Sequence, residues 1–145
     1  MATNERFMLV PPEAVWDALA DPGGYGYWVL GSKDIRDADP TWPAPGSRFH
    51  HTVGFGPLTI RDHTESLEAR RPTFLRLRAK GRPLGTAQVA LTMEPKDGGT
   101  RVRMTENPDG ATAWLTLNPL VQLLTRGRNA ESLMRLEELA MRRAR

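Results

Sequence analysis

The sequence predicts an α+β fold in which an antiparallel sheet is covered by one long helix at the C-terminal end. Three observations carry this. Five segments between Ser47 and Glu106 alternate apolar and polar residues with period 2, the pattern of strands buried on one face. Gly-, Pro- or Asp-Gly-containing turns of hairpin type join them. After them, Asn118-Pro119 marks a helix start, an N-cap followed by proline at the first helical position, and no proline interrupts the chain from there to Arg145.

The elements follow in order. Asn4 to Val10 reads as a first strand, ended by Pro11-Pro12, which cannot continue a ladder. Pro12-Glu13 opens a short helix with Val15, Trp16 and Leu19 on one face, closing near Asp21-Pro22-Gly23-Gly24. A second helical turn holds Tyr25, Tyr27 and Trp28. A polar strand from Ser32 to Asp39 runs into the turn-rich Pro40 to Gly46. The sheet proper has strands Ser47 to Val53, Leu58 to Leu67, Thr73 to Lys80, Thr86 to Glu94 and Thr100 to Glu106. The closing helix places Leu120, Leu123, Leu124, Gly127, Ala130, Leu133, Met134, Ala140 and Met141 on one broad face, opposite Arg128, Ser132, Arg135, Glu138 and Arg142. Gly127 and Ala130 are small, so that face either touches the sheet closely or leaves unfilled space.

Period 2 also sorts the strands by face. Phe49, His51 and Val53, then Leu58, Ile60, Asp62 and Thr64, then Leu75, Leu77 and Ala79 share the buried side with Ala87, Val89, Leu91, Met93, Val102, Met104 and Glu106. Arg48, His50, Arg61, His63, Arg76, Arg78, Arg101 and Arg103 fall on the wetted side. Two registers follow: a turn at Gly54 to Pro57 sets His51 beside Ile60, and one at Lys96 to Gly99 sets Leu91 beside Met104. Leu67 breaks the phase, which a bulge near Glu65 explains.

Composition narrows the function classes. A chain of 145 residues is expected to form one domain over its whole length, 1–145. With no Cys, disulfides, thiolate metal sites and cysteine nucleophiles are excluded. The N-terminal residues carry no apolar signal core and no apolar run is long enough to span a bilayer, so a cytoplasmic protein without a membrane span is expected. The 20 Lys and Arg nearly balance the 17 Asp and Glu, and the outer face lacks the interleaved aromatics that stack bases; no nucleic-acid partner is expected.

The motifs Pro11-Pro12-Glu13-Ala14-Val15-Trp16, Trp28, Pro45-Gly46-Ser47-Arg48-Phe49 and Gly98-Gly99-Thr100-Arg101-Val102, with the terminal helix, resemble those of the START-like group. That group includes polyketide cyclases, lipid-transfer domains and relatives of birch pollen allergen, and this chain looks most like actinobacterial members labelled polyketide cyclase or dehydrase. The resemblance implies a helix-grip fold: a curved antiparallel sheet wrapped around a long C-terminal helix, with two short helices after the first strand and a cavity for an apolar ligand between sheet and helix. It carries over no catalytic signature.

Chemistry is therefore sought among polar residues of the apolar face. His51, Asp62 and Glu106 are the candidate catalytic residues, with Thr64 beside them, since His serves as acid or base near neutral pH and burial raises a carboxyl pKa. The alternative for each is structural: a hydrogen bond within the wall for His51, ion pairing toward the rim for Asp62 and Glu106. The resemblance implies that Tyr27 and Trp28 lie near the cavity mouth, and the expected ligand-binding residues are these two with Phe49, Ile60, Leu77, Val89, Leu91 and Met104 on the sheet. From the helix come Leu123, Gly127, Ala130 and Met134.

Trp42 and Trp114 read as loop anchors, and Gly110 to Leu117 as a segment that could cover the entrance. No metal or cofactor is expected: adjacent His50 and His51 point to opposite faces, and no phosphate-cradling glycine motif is present. The expected function is binding of a hydrophobic polyketide- or lipid-like small molecule by a monomer or homodimer, as a carrier or as a cyclase, aromatase or dehydratase. The alternative is an interaction module of the heat-shock ATPase activator type, using the arginines of the outer face.

Overall fold

A computed structural model describes residues 2–29, 32–55, 57–81, 85–109 and 118–144. Seven strands form one antiparallel sheet: β1 (Ala2–Met8), β2 (Ser32–Ala38), β3 (Arg48–Phe55), β4 (Leu58–Arg70), β5 (Phe74–Gly81), β6 (Gly85–Lys96) and β7 (Gly99–Pro108). Their order is β1-β7-β6-β5-β4-β3-β2, so β3 to β7 meander and β1 returns to pair with the last strand. Two short helices, α1 (Pro12–Leu19) and α2 (Tyr25–Trp28), lie between the two edge strands in sequence. The long helix α3 (Pro119–Arg143) follows the sheet.

Local chemistry explains the boundaries. Pro12 sits in the first turn of α1, where its missing N–H has no partner to lose. The side chain of Asn118 accepts a hydrogen bond from Leu120 N at 2.8 Å, and Pro119 fills the first helical position of α3. Between β6 and β7, Asp97 and Gly98 both have positive φ (48° and 81°), the turn that matches strand twist. Gly99 follows because a Cβ there would stand 2.4 Å from the Met8 carbonyl oxygen and 2.8 Å from the Phe7 ring. Thr100 completes this corner by donating to the Val10 carbonyl at 2.7 Å.

The period-2 sorting holds. Phe49, His51, Asp62, Thr64, Leu75, Leu77, Val89, Leu91, Met93, Val102 and Met104 are all buried. Leu91 pairs with Met104 as expected. The other predicted register is corrected: His51 pairs with Asp62 and Val53 with Ile60, because pairing continues up to Phe55 against Leu58 and the hairpin is tighter than the glycines implied. A shift of two residues preserves the face, so Phe49, His51, Asp62 and Thr64 remain inward. The bulge is present between Ser66 and Glu68, at Leu67 itself, and returns Ala69 to the inner face opposite Leu75.

The helix is where the expectation fails. Leu120, Leu123 and Leu124 are 61, 66 and 65 % exposed, and Met134 and Met141 are exposed with them, as are Gly127 and Ala130. The buried residues are Asn129, Ser132, Leu133, Leu136 and Ala140. Of the predicted stripe only Leu133 and Ala140 face the core. The helix is oriented by its surroundings: Arg6 bonds Glu137, Arg128 bonds Glu106, and Asn4 donates to the Arg126 carbonyl. Arg143 bonds Asp21 just beyond α1, and Leu139 lies where Gly24 leaves room for it. Those contacts turn the leucine-rich face of the first half outward.

This orientation is directly testable. Leu136→Ala should destabilise the protein by about 2–5 kcal/mol, as expected for an emptied core position. Leu123→Ala, at an exposed position, should change stability by less than about 0.5 kcal/mol. Chemical denaturation of both variants measures the difference, and the reverse ranking would show that α3 is rotated the other way.

Candidate functional site

Inner-face burial is uneven, and the unevenness locates the site. At the end of the sheet carrying Leu75, Leu91, Met93 and Val102 these side chains are 0–1 % exposed, packed with Val15, Leu19, Leu133 and Leu136. Toward the opposite end, Ile60, Ala79 and Ala87 are only half-buried although the ladders place them on the same face. Thr125 and Gln122, on the inward side of the first half of α3, are half-buried too. The two layers are thus packed at one end and leave inward-facing surface accessible at the other.

The wall near β3 is aromatic. Tyr25 packs on Trp28, Trp42 and Phe49 with ring centroids 5.0, 5.7 and 4.6 Å apart, and Phe49 lies 5.7 Å from the His51 ring. The Leu19 carbonyl accepts from both the Tyr25 hydroxyl (2.8 Å) and Trp42 Nε1 (3.1 Å), which anchors α2 and the Trp42 loop to the end of α1. Burial pushes the Tyr25 hydroxyl pKa far up, so it remains a donor.

His51, Asp62 and Thr64 form one cluster on neighbouring strands. His51 Nε2 lies 3.1 Å from Thr64 Oγ1, while Nδ1 is buried without a hydrogen-bond partner. Asp62 Oδ1 accepts from the His63 backbone N–H at 2.9 Å and lies 3.5 Å from His63 Nδ1. Arg36 Nη2 donates to the carbonyl oxygens of His51 and Asp62, both at 3.3 Å, and ties β2 across the pair. Burial holds the His51 pKa below its ordinary 6.5, with the His63 backbone and the Asp62 carboxylate opposing the shift. The ring is therefore neutral at pH 7 and presents one unpaired nitrogen to the interior.

Glu106 is separated from that cluster. Four strand spacings lie between β3 and β7, roughly 19 Å along the sheet, so Glu106 does not belong to the His51 cluster. Its carboxylate takes both oxygens to Arg128 Nη2, at 2.7 and 2.6 Å, and links β7 to α3.

Of the expected ligand-contacting residues, Phe49, Ile60, Leu77, Val89, Leu91 and Met104 lie on the inner face and Trp28 is buried at its side. Tyr27, Leu123, Gly127, Ala130 and Met134 are placed outside. The Tyr27 hydroxyl bonds Glu138, and its ring lies under Arg135 and Arg142. A Cβ on Gly127 would meet nothing within 4 Å, so space rather than close contact surrounds it, on the outward side of α3 with Leu123 and Leu124. Trp114 and the segment 110–117 fall outside the described residues.

The inward polar side of α3, with Thr125, Asn129 and Ser132, was missed. Its signal was available: Asn and Ser in a helix interior are poor helix formers, and these three recur at helical spacing. On the outer face, Glu5 bonds Arg101 and Arg103, Glu68 bonds Arg70 and Arg76, and Asp109 bonds Arg78. Among the described residues no cluster of metal-ligating side chains occurs and no helix is long and apolar enough to cross a membrane.

Comparison with known proteins agrees with this architecture. The family described as polyketide cyclase / dehydrase and lipid transport matches residues 2–140. No curated protein matches the chain. Similar solved structures include TTHA0849 from Thermus thermophilus, at 19% identity and TM-score 0.73 with 99% of each chain covered. NE0264 from Nitrosomonas europaea, at 18% identity and TM-score 0.72, is covered over 93% of its length by 97% of this chain. Ara h 8.0201, of the birch-pollen-allergen type, gives 13% identity and TM-score 0.74 over 97% of this chain and 96% of its own. At these identities the structures establish the fold alone.

The His51 environment predicts a pH dependence. Its lowered folded pKa means the unfolded chain binds more protons on acidification, so this residue's contribution is present above about 6.5 and is lost as pH falls toward the folded value. NMR titration of the His51 ring should give a midpoint below 6.5; a midpoint at or above it would show a hydrated or ion-paired imidazole.

Proposed function

Since the chain belongs to the polyketide cyclase / dehydrase and lipid transport family, we propose that it binds a hydrophobic small molecule between the loosely covered end of the sheet and the first half of α3. The observation that supports this is the half-burial of Ile60, Ala79 and Ala87 on a face whose other end is fully sealed. Apolar inward surface left accessible is what a ligand of matching polarity would cover, at about 25 cal/mol per Å² removed from water. Ile60, Leu77 and Val89 form the apolar wall of this proposed site, with Phe49 and Trp28 at its aromatic side.

Carriage is favoured over turnover by the placement of the polar groups. His51 and Thr64 can orient a hydroxyl or carbonyl of the ligand. An acid–base pair acting on one substrate needs two free groups within hydrogen-bond reach of the reacting atoms, and Glu106 is engaged by Arg128 far along the sheet. Any cyclisation or dehydration would therefore draw on His51 and not on Glu106. The interaction-module reading is less favoured, because the outer-face arginines Arg76, Arg78, Arg101 and Arg103 are paired with Glu68, Asp109 and Glu5 of the chain itself.

Native mass spectrometry of freshly purified protein should show added mass that disappears on denaturation. Ala87→Phe supplies the control, since it fills accessible space on the inner face. Cooperative melting should be retained while uptake of an apolar fluorescent probe falls several-fold. A steep loss of stability in this variant, with no probe bound by the parent protein, would show that the layers are already closed.

A further inference from the structure

β1 and α3 share one flank of the molecule, and each leaves a row of groups unpartnered there. Among the described residues β1 is a terminal strand whose one ladder is with β7, so its other row of backbone N–H and C=O groups joins no strand. At the far side of the sheet, β2 has two register shifts and exposes Asp34, Arg36 and Asp37, devices that blunt an edge. The register of β1 instead runs unbroken from Ala2 to Met8.

α3 packs against β1, α1 and α2. Asn4 bonds the Arg126 carbonyl and Arg6 bonds Glu137, which fixes the side of the helix that meets β1. At about 3.6 residues per turn, Leu123, Gly127, Ala130 and Met134 fall on the side facing away from the core, with Leu123 and Ala130 turned toward β1. All four are exposed, Leu123 by 66 % and Met134 by 37 %. They run large, small, small, large and so read alike from either end of the helix. A twofold axis through the middle of the four sets Leu123 of one copy on Met134 of a second, over the recess that the two small residues leave. That recess is open: a Cβ on Gly127 would meet nothing within 4 Å. The same axis passes β1 near Asn4, because Asn4 is bonded to the α3 backbone at Arg126.

We propose that this flank is a dimer interface, in which a second copy of the chain pairs antiparallel on β1 and packs its α3 on α3. The area suffices. β1 is about 24 Å long, and the sheet edge with the helix layer above it is about 20 Å deep, giving about 500 Å² per copy and about 1,000 Å² in all, the lower bound for a specific interface. The charges favour a copy of the same chain over other occupants. Glu5, Arg6, Lys96, Asp97, Arg126 and Glu137 interleave both signs along the flank, which a second copy can answer with its own, whereas an anionic bilayer or an acidic protein would be matched by one sign. Dimerisation here is independent of whether the inner face takes up a ligand.

Sedimentation of the full chain from about 1 to about 200 µM should carry it from monomer to dimer, as a weak interface of this size requires. Gly127→Glu places two carboxylates beside the axis, and dimerisation should weaken more than about tenfold. Its melting temperature at low concentration should hold or rise, because a glycine in a helix interior is replaced where space is open. The chain has no Cys, so Ala130→Cys supplies one thiol near the axis; diamide should convert it to a covalent dimer and leave Arg61→Cys, on the outer face of β4, without a cross-link. Amide hydrogen exchange should show both rows of β1 protected in the dimer and one row in Gly127→Glu. A parent protein monomeric at every concentration would overturn the proposal, as would a dimer indifferent to Gly127→Glu or one that leaves half of the β1 amides unprotected. Binding of the monomer to phosphatidylglycerol vesicles, abolished by Gly127→Glu, would assign the stripe to a bilayer and overturn it too.

Discussion

Everything in this molecule depends on how α3 is held against a sheet wider than itself. A single helix cannot cover seven strands, and its position is set by ties at one edge: Asn4 and Arg6 on β1 and Glu106 on β7 bind Arg126, Glu137 and Arg128. The second half of α3 then packs with α1 over Leu75, Leu91, Met93 and Val102, which seals that end of the sheet completely. At the other end the sheet continues beyond the cover. These ion pairs are partly exposed and add little stability individually, but they decide which face of the helix looks inward.

The consequence is a division of labour within one core. The sealed end supplies the burial that stabilises the fold, with the Tyr25, Trp28, Trp42 and Phe49 cluster bracing the junction of α1, α2 and β3. The open end carries His51, Asp62 and Thr64 on the sheet and Thr125, Asn129 and Ser132 on the helix, polar groups that a core built only for stability would exclude. Departures of this kind from the pattern that packing favours are concentrated where function is expected.

The same division explains what could be read from the chain. Period 2 placed Phe49, His51, Asp62, Thr64, Leu75, Leu77, Val89, Leu91, Met93, Val102 and Met104 on their correct face because the sheet obeys the rule that one face is apolar, and the bulge at Leu67 was visible as a break in that period. The error at the β3–β4 hairpin was a slip of two, which the pattern cannot detect because it leaves the faces unchanged. The α3 stripe misled for a different reason. Assigning the apolar side to the core requires the core to be apolar there, whereas the inward side of the first half is Gln122, Thr125 and Asn129, and Leu120, Leu123 and Leu124 face out. For the site, this meant that His51, Asp62 and the sheet wall could be placed on the inner face from sequence, whereas Asn129 could not be chosen without knowing the helix rotation. The pairing of Glu106 with Arg128 was foreseen only as an alternative, since nothing in the chain shows that the two lie within reach.

The proposed uptake of an apolar molecule between the open end of the sheet and α3 can be followed residue by residue. Methyl NMR spectra recorded while naphthalene is added follow it directly, because Ile60 and Val89 report the proposed site, Leu91, Met104 and Val102 the sealed end, and Leu120, Leu123 and Leu124 the outer face of α3. Saturable shifts confined to Ile60 and Val89 are expected. Shifts confined to the exposed leucines, or none at any methyl, would contradict it.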